Sequence, residues 1–359
     1  MYYIVAIFLV IFALLALTHS WLRGGRQPEY KEPDDPNIRQ SFAMQPQDEA
    51  PLKAVHATVL DLGARVSAKL AGKDIRGARE AIDSLSEGRI YPSEFTATEA
   101  NGVPAEWVIA PGSDSDRRLL YIHGGGFKFG SPKSHRTITN KFAEITGCVV
   151  LSIDYRMLPE NRMKDAINDC RSAYQWMLEN GPDGSAPVRQ VYVAGDSAGG
   201  NLTLSLIAWV RDQKLRRPDA VVTMSPLTDA TLSAGSLRSN EATDVMLKPL
   251  LAPINRIPPI ARIWLLALAN RTRPANPIYS PLLGQLSDLP PTLLQASESE
   301  MLLDDSKRYF CKAWAAGSPV VLQTWANAVH VWQLFDPELA QAREAWREIG
   351  KFIEQHTKA

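Results

Sequence analysis

Three cysteines in 359 residues, Cys148, Cys170 and Cys311, are too few and too scattered for a disulfide framework, and none forms a C-x-x-C pair that would suggest zinc. They are expected to be buried thiols. Histidine is also sparse: His19, His56, His123, His135, His330 and His356 show no H-E-x-x-H or comparable ligand spacing, so a catalytic metal has no sequence support and no cofactor is expected. Charge of one sign is absent in net terms, with 39 basic and 39 acidic residues, and nothing global draws the chain to nucleic acid. Neither G-x-G-x-x-G nor G-x-x-x-x-G-K-[ST] occurs, which argues against a dinucleotide or nucleoside-phosphate cradle. No internal repeat is visible. What remains is a globular composition, 45% hydrophobic, long enough for one large core or two modest ones.

The first residues depart from that profile. Met1 to Leu17, "MYYIVAIFLVIFALLAL", is unbroken apolar sequence, and no charge appears before Arg23. Residues 1–22 are therefore long enough, at roughly 33 Å of helix, to span a bilayer as an uncleaved anchor. A cleaved signal is the rival expectation, which would make the body secreted or periplasmic, but "ALTHSW" is a poor cleavage site. Arg23, Arg26 and Lys31 follow the segment and favour a cytoplasmic body. Residues 23–45, polar and rich in proline and glycine, read as a linker.

Beyond it the periodicity turns helical over residues 46–90, with Leu52, Val55, Val59, Leu62, Val66 and Leu70 three to four apart. A hairpin is expected at Asn101-Gly102. Short apolar runs then alternate with helical segments: "RRLLYIHG", "CVVLSIDYR", "VRQVYVAGD", "AVVTMSP", "PTLLQAS" and "VVLQTWAN" read as buried strands. Helices are expected over residues 164–179, 198–213, 304–316 and 337–355. This alternation predicts an α/β fold, a mostly parallel sheet covered on both faces by helices, for residues 91–359. Residues 230–275, apolar but broken by prolines, are too long for an ordinary loop and are expected to form a cap insertion over the sheet edge.

The chemistry is concentrated in a few strings. In "VYVAGDSAGGNLTLSLIAW", Gly195-Asp196-Ser197-Ala198-Gly199 sits between a strand and a helix, the context in which G-x-S-x-G becomes a nucleophile elbow. Ser197 would stand on the sharp turn, and the Ala198 amide would open a helix whose dipole favours negative charge. A serine needs a base. His330, after the last expected strand and before the last helix, is the best placed histidine, whereas His123 lies in the glycine loop and reads as structural. The acid should follow the penultimate strand, where "SESEMLLDDS" offers Glu298, Glu300, Asp304 and Asp305. Glu300 lies in the loop, and Asp304 and Asp305 open the next helix; Glu300 is preferred and Asp304 stays open. "HGGGF" after "RRLLYI" matches the element that supplies oxyanion donors in lipases and esterases.

Together these strings resemble the hormone-sensitive-lipase-like carboxylesterases, the bacterial family IV type of the α/β-hydrolase fold. The resemblance runs over roughly residues 90–355, through His123–Phe127, "DYRMLPE" (Asp154–Glu160), Gly195–Gly200, "SPLTD" (Ser225–Asp229), "ESEMLLDDS" (Glu298–Ser306) and "HVWQ" (His330–Gln333). It implies Ser197 as nucleophile, Glu300 as acid, His330 as base, and the Gly125, Gly126 and Ala198 amides as oxyanion hole. A glutamate at 300 departs from the family's commoner aspartate. The resemblance also implies that residues 46–90 and 230–275 form the cap, and that the partner is a small ester of short or medium acyl length. Amidase, lactonase or thioesterase chemistry is the nearest alternative, and a non-catalytic ligand-binding member a distant one. The amino-terminal segment lies outside the family pattern.

Overall fold

The computed structural model describes residues 2–25 and 28–357, without the side chains of residues 2–9. Nine strands form one sheet: β1 (Arg39–Phe42), β2 (Glu94–Ala100), β3 (Val103–Ile109), β4 (Asp114–Ile122), β5 (Cys148–Ile153), β6 (Gln190–Asp196), β7 (Ala220–Met224), β8 (Thr292–Ser297) and β9 (Val320–Trp325). Their order across the sheet is β1-β9-β8-β7-β6-β4-β5-β3-β2. Pairing is parallel from β1 to β5 along that order; only β3 with β5 and β2 with β3 run antiparallel. The expected hairpin is present: Ala100 pairs with Val103, and Asn101 and Gly102 both take positive φ, 52° and 84°, as a tight two-residue turn requires.

The helices are α1 (Tyr2–Arg23), α2 (Glu49–Ala71), α3 (Ile75–Asp83), α4 (Arg136–Thr146), α5 (Met163–Glu179), α6 (Ser197–Asp212), α7 (Ser236–Ser239), α8 (Lys248–Asn255), α9 (Pro259–Asn270), α10 (Leu303–Ala315) and α11 (Ala340–Gln355). A fully buried sheet needs apolar residues on both faces, and β4 meets this by alternation. Leu120 and Ile122 pack with Ile167, Tyr174, Leu202 and Leu206 from α5 and α6. Leu119 and Tyr121 face the other way, toward Ile138, Phe142, Trp346 and Ile349 of α4 and α11. Toward β9, α10 adds Tyr309, Phe310 and Ala313 beside Leu294 and Leu322. The result is three layers with the functional loops at the carboxyl edge of the parallel strands. All three cysteines are free and buried, and burial pushes the Cys148 thiol up to about 11.

One amino-terminal expectation changes. Part of the segment read as a linker, residues 23–45, is strand: Arg39 to Phe42 pair in parallel with Leu322 to Trp325. The exposed edge of β9 offers unpaired backbone groups, and Phe42 stacks on Trp325 at 4.3 Å, so tertiary partners form a strand where local pattern shows none. The expected anchor, residues 1–22, falls partly outside the described residues. Among the described residues, no helix is long and apolar enough to cross a membrane. At its carboxyl end α1 is seated on the body, with Leu22 buried and its carbonyl accepting from Ala275 N at 3.2 Å.

The helices at residues 46–90 and the insertion both touch the functional edge. Arg79 of α3 donates from Nε to Lys128 O at 2.8 Å and from Nη2 to Leu158 O at 2.9 Å, and pairs with Glu160 at 2.7 Å. This arginine fastens α3 to the glycine loop. From the insertion, α8 brings Leu250 to 3.9 Å from where a Cβ on Gly126 would stand.

Candidate active site

The turn from β6 into α6 leaves little room. A Cβ on Gly199 would meet Ile122 O at 2.0 Å, and one on Gly195 would meet Thr203 Oγ1 at 2.6 Å, so both positions exclude a side chain. Ser197 between them takes φ 51°, a conformation that a non-glycine residue holds only under constraint from its surroundings. Its hydroxyl is thereby lifted off the strand end, and Ala198 follows within the first turn of α6.

His330 reaches this serine from the loop after β9. Its Nε2 is 2.9 Å from Ser197 Oγ, and its Nδ1 is 2.7 Å from Glu300 Oε2. Thus the structure brings Ser197, His330 and Glu300 into one hydrogen-bonded line, although 133 residues separate the first pair and 30 the second. Asp304, the alternative acid, is not in that line; its Oδ2 accepts from Ser236 N at 2.8 Å. Glu298 is engaged elsewhere too, accepting from Thr324 Oγ1 at 2.9 Å. Asp305 is buried, accepts from the Thr228 and Asp229 amides at 2.7 and 2.8 Å, and is pushed up to about 7 by burial and by the neighbouring charge of Asp229.

Burial opposes a charged imidazole at His330, but the hydrogen bond and charge of Glu300, with Asp244 and Asp196 behind it, outweigh burial and raise its pKa above the ordinary 6.5. Burial also lifts the Glu300 carboxyl, against the pull of the histidine contact. The line is therefore arranged to accept a proton from the serine and stabilise the resulting imidazolium.

Facing Ser197 is the glycine loop. Gly125 and Gly126 take φ 109° and 61°, and a Cβ on Gly125 would meet Phe129 O at 2.2 Å. Phe129 N closes the loop by donating to Gly125 O at 2.9 Å. His123 lies at its root, fully buried, stacked on Tyr155 with ring centroids 4.4 Å apart, its Nδ1–H donating to Gly124 O at 2.8 Å. Burial, with the nearby His135, pushes His123 down to about 3, so it stays neutral.

Asp196, within the elbow motif but not singled out by sequence, ties the two loops together. One of its oxygens accepts from Gly124 N at 2.9 Å and from the Tyr121 hydroxyl, and the other lies 3.5 Å from His135 Nε2. A Cβ on Gly124 would come within 2.1 Å of this carboxylate. Ser225, from "SPLTD", is a second residue missed: it takes φ 50°, and its Oγ accepts from Val331 N at 3.2 Å, steadying the residue after His330. Nothing in composition or spacing marks either as functional; their motifs were the available signal.

A cavity of about 730 Å³, bordered by Arg23, Tyr30, Asp229, Asp304, Arg308 and Lys312, holds none of the three line residues. Arg308 and Asp229 there already pair at 3.0 Å, so chemistry rather than volume selects the site. Among the described residues, no three histidine, cysteine, aspartate or glutamate side chains gather as a metal site.

Comparison with known proteins places this arrangement. A family model for the alpha/beta hydrolase fold matches residues 119–334. An acetyl-hydrolase of Streptomyces hygroscopicus is 35% identical over 253 residues, 70% of this chain and 80% of the relative. An esterase of Acinetobacter venetianus is 32% identical over 280 residues, 76% of this chain and 87% of the relative. Among solved structures, an esterase from the bacterial hormone-sensitive lipase family superposes with TM-score 0.74 at 31% identity, covering 86% of this chain and 98% of that one.

Proposed function

Because the chain belongs to the hormone-sensitive-lipase-like carboxylesterases of the α/β-hydrolase fold, and is a carboxylic ester hydrolase, we propose that Ser197, His330 and Glu300 are its catalytic triad and short- to medium-chain acyl esters its substrates. The observation that carries the triad is the unbroken line Ser197 Oγ, His330 Nε2, His330 Nδ1, Glu300 Oε2, with contacts of 2.9 and 2.7 Å.

The reaction runs in two acyl transfers. Ser197 Oγ attacks the ester carbonyl while its proton passes to His330 Nε2. The tetrahedral oxyanion is held by the amides of Gly125, Gly126 and Ala198. Those amides belong to a loop and an elbow held by close backbone packing and the Phe129 N to Gly125 O bond, an arrangement that favours little reorganisation as charge develops. His330 then protonates the leaving alcohol, and water repeats the sequence in reverse to release the acid and restore Ser197.

Support for short acyl groups comes from the acetyl-hydrolase relative. A p-nitrophenyl ester series tests both parts. kcat/KM is expected to peak at short or medium chains and to be lost at every length in Ser197→Ala by about 10⁴-fold. A peak at long-chain esters overturns the substrate class, and near-normal turnover by Ser197→Ala overturns the triad.

The apolar run Met1–Leu17 supports a membrane tether for the body. Release of the full-length protein from membranes by alkaline carbonate would refute it.

A further inference from the structure

The turn that carries Glu300, between β8 and α10, divides its backbone partners between two parts of the molecule. Its leading N–H groups are satisfied by the sheet edge: Glu298 N donates to Trp325 O at 2.9 Å and Ser299 N to Ser297 Oγ at 3.0 Å. Its carbonyls are satisfied by the insertion. Asn240 Nδ2 donates to Glu298 O at 2.8 Å and to Glu300 O at 2.9 Å. Thr243 Oγ1 donates to Ser299 O and Ser236 Oγ to Met301 O, each at 2.8 Å. Four consecutive carbonyls, Glu298 to Met301, are thereby received by one short segment of chain. The same segment takes the amide that follows the acid, because Asp244 Oδ2 accepts from Met301 N at 2.7 Å. Asp244 is itself fixed, buried, with Oδ1 accepting from Met246 N and Leu247 N at 3.1 and 2.8 Å.

We propose that residues 236–244 are a positioning clasp for the catalytic acid, holding the turn where Glu300 Oε2 meets His330 Nδ1; this rests on the assignment of Glu300 to the triad. A glutamate has one more rotatable bond than an aspartate, so its carboxylate stays in place only if the backbone beneath it is immobile. An unclasped turn would leave the Glu298, Ser299 and Met301 carbonyls to water, with Glu300 O kept only by Leu303 N at 3.2 Å, and the acid free to shift by the fraction of an ångström that separates an aligned from a misaligned imidazole. The clasp also stands at the root of the insertion, which continues into α8 and its Leu250 over Gly126. The segment that grips the acid thus leads into the helix that approaches the oxyanion loop.

The test uses the full chain and three variants of the clasp. Asn240→Ala is expected to lower kcat about tenfold with KM little changed, the effect of weakening one charged contact in the line. Its acid limb in the pH profile of kcat/KM is expected to move to lower pH, since His330 loses part of the support that raises it. The charged groups facing His330 are Glu300 from the acid turn, Asp244 from the clasp and Asp196 from the elbow, and Asn240 adds no charge of its own. Thr243→Val is expected to lower kcat about threefold, and Thr243→Ser, which keeps the hydroxyl, to restore it. Thermal melts establish the folded fraction of each. Unchanged kcat and pH limb in folded Asn240→Ala and Thr243→Val overturn the clasp, as does a kcat loss that follows the unfolded fraction alone. Glu300→Gln assayed alongside separates the two levels: full activity there removes the triad assignment and the clasp with it, whereas loss there with normal clasp variants removes the clasp alone.

Discussion

His123 and His330 are both enclosed by protein, at 0% and 3% exposure, yet they end on opposite sides of the ordinary histidine pKa. His123, in the glycine loop, is driven down to about 3 by burial with His135 beside it, and its Nδ1–H is committed to a backbone carbonyl. His330, in the acid turn's neighbourhood, is raised because Glu300 lies 2.7 Å away and outweighs the same burial. Burial alone makes a histidine a neutral structural ring; a carboxylate in hydrogen-bond contact makes it a base. The two loops differ in the same sense. One is a close-packed glycine frame, and the other a hydrogen-bonded polar line that we propose moves a proton.

Removing the carboxylate should collapse the difference between the two histidines. Glu300→Gln keeps the shape and leaves His330 buried without its hydrogen-bonded counter-charge, with only Asp244 and Asp196 farther off, so kcat is expected to fall on the order of 10³-fold. The sign of the accompanying pH effect is fixed. As the proposed base, His330 acts when neutral, so activity is expected to fall as pH drops through its pKa, and with the support of Glu300 gone that limb moves to lower pH. A pH profile of kcat/KM for ester hydrolysis checks both; a limb that stays in place or moves upward contradicts the role given to Glu300.

The frame can be broken without touching the line. Gly125→Ala places a Cβ within 2.2 Å of Phe129 O at φ 109°, which forces the loop to move. A loss of about 10²-fold in kcat is expected, with the acid limb unmoved, because the oxyanion donors are displaced while His330 keeps its partners. An unaffected kcat would place the oxyanion donors elsewhere.

The smallest effect is expected at the other histidine. His123→Phe preserves the ring against Tyr155 but loses the bond to Gly124 O, and should lower stability by about 2 kcal/mol while reducing kcat by roughly tenfold or less. Chemical denaturation and the pH profile measure the two parts. A shifted acid limb in this variant would mean that His123 takes part in proton transfer.

Much of this comparison was legible in order along the chain. The elbow string announces a strand-to-helix turn because glycine must flank a serine held at positive φ, and Gly195 and Gly199 indeed leave no space for a Cβ. The preference for Glu300 over Asp304 rests in the sequence on loop against helix start; in the structure Glu300 contacts His330 and Asp304 lies outside the line, bound to Ser236. The residues that steady the site were not readable. Asp196, Ser225 and Asn240 work through contacts with residues 72, 106 and 60 positions away, and no local pattern encodes such a partner. Strand β1 escaped for the same reason: its hydrogen bonds belong to β9, nearly three hundred residues on.

What the sequence determined by itself is therefore what short-range rules govern. These are the alternation of buried strands and helices, the two glycine-dependent turns, and the kinds of side chain available as nucleophile, base and acid. Only the tertiary structure decided which histidine is charged-competent and what holds the acid in place. Both depend on electrostatic and hydrogen-bond contacts between residues 30 to 60 positions apart, whose strength falls off over a few ångströms and which exist only once the sheet has brought its loops to one edge.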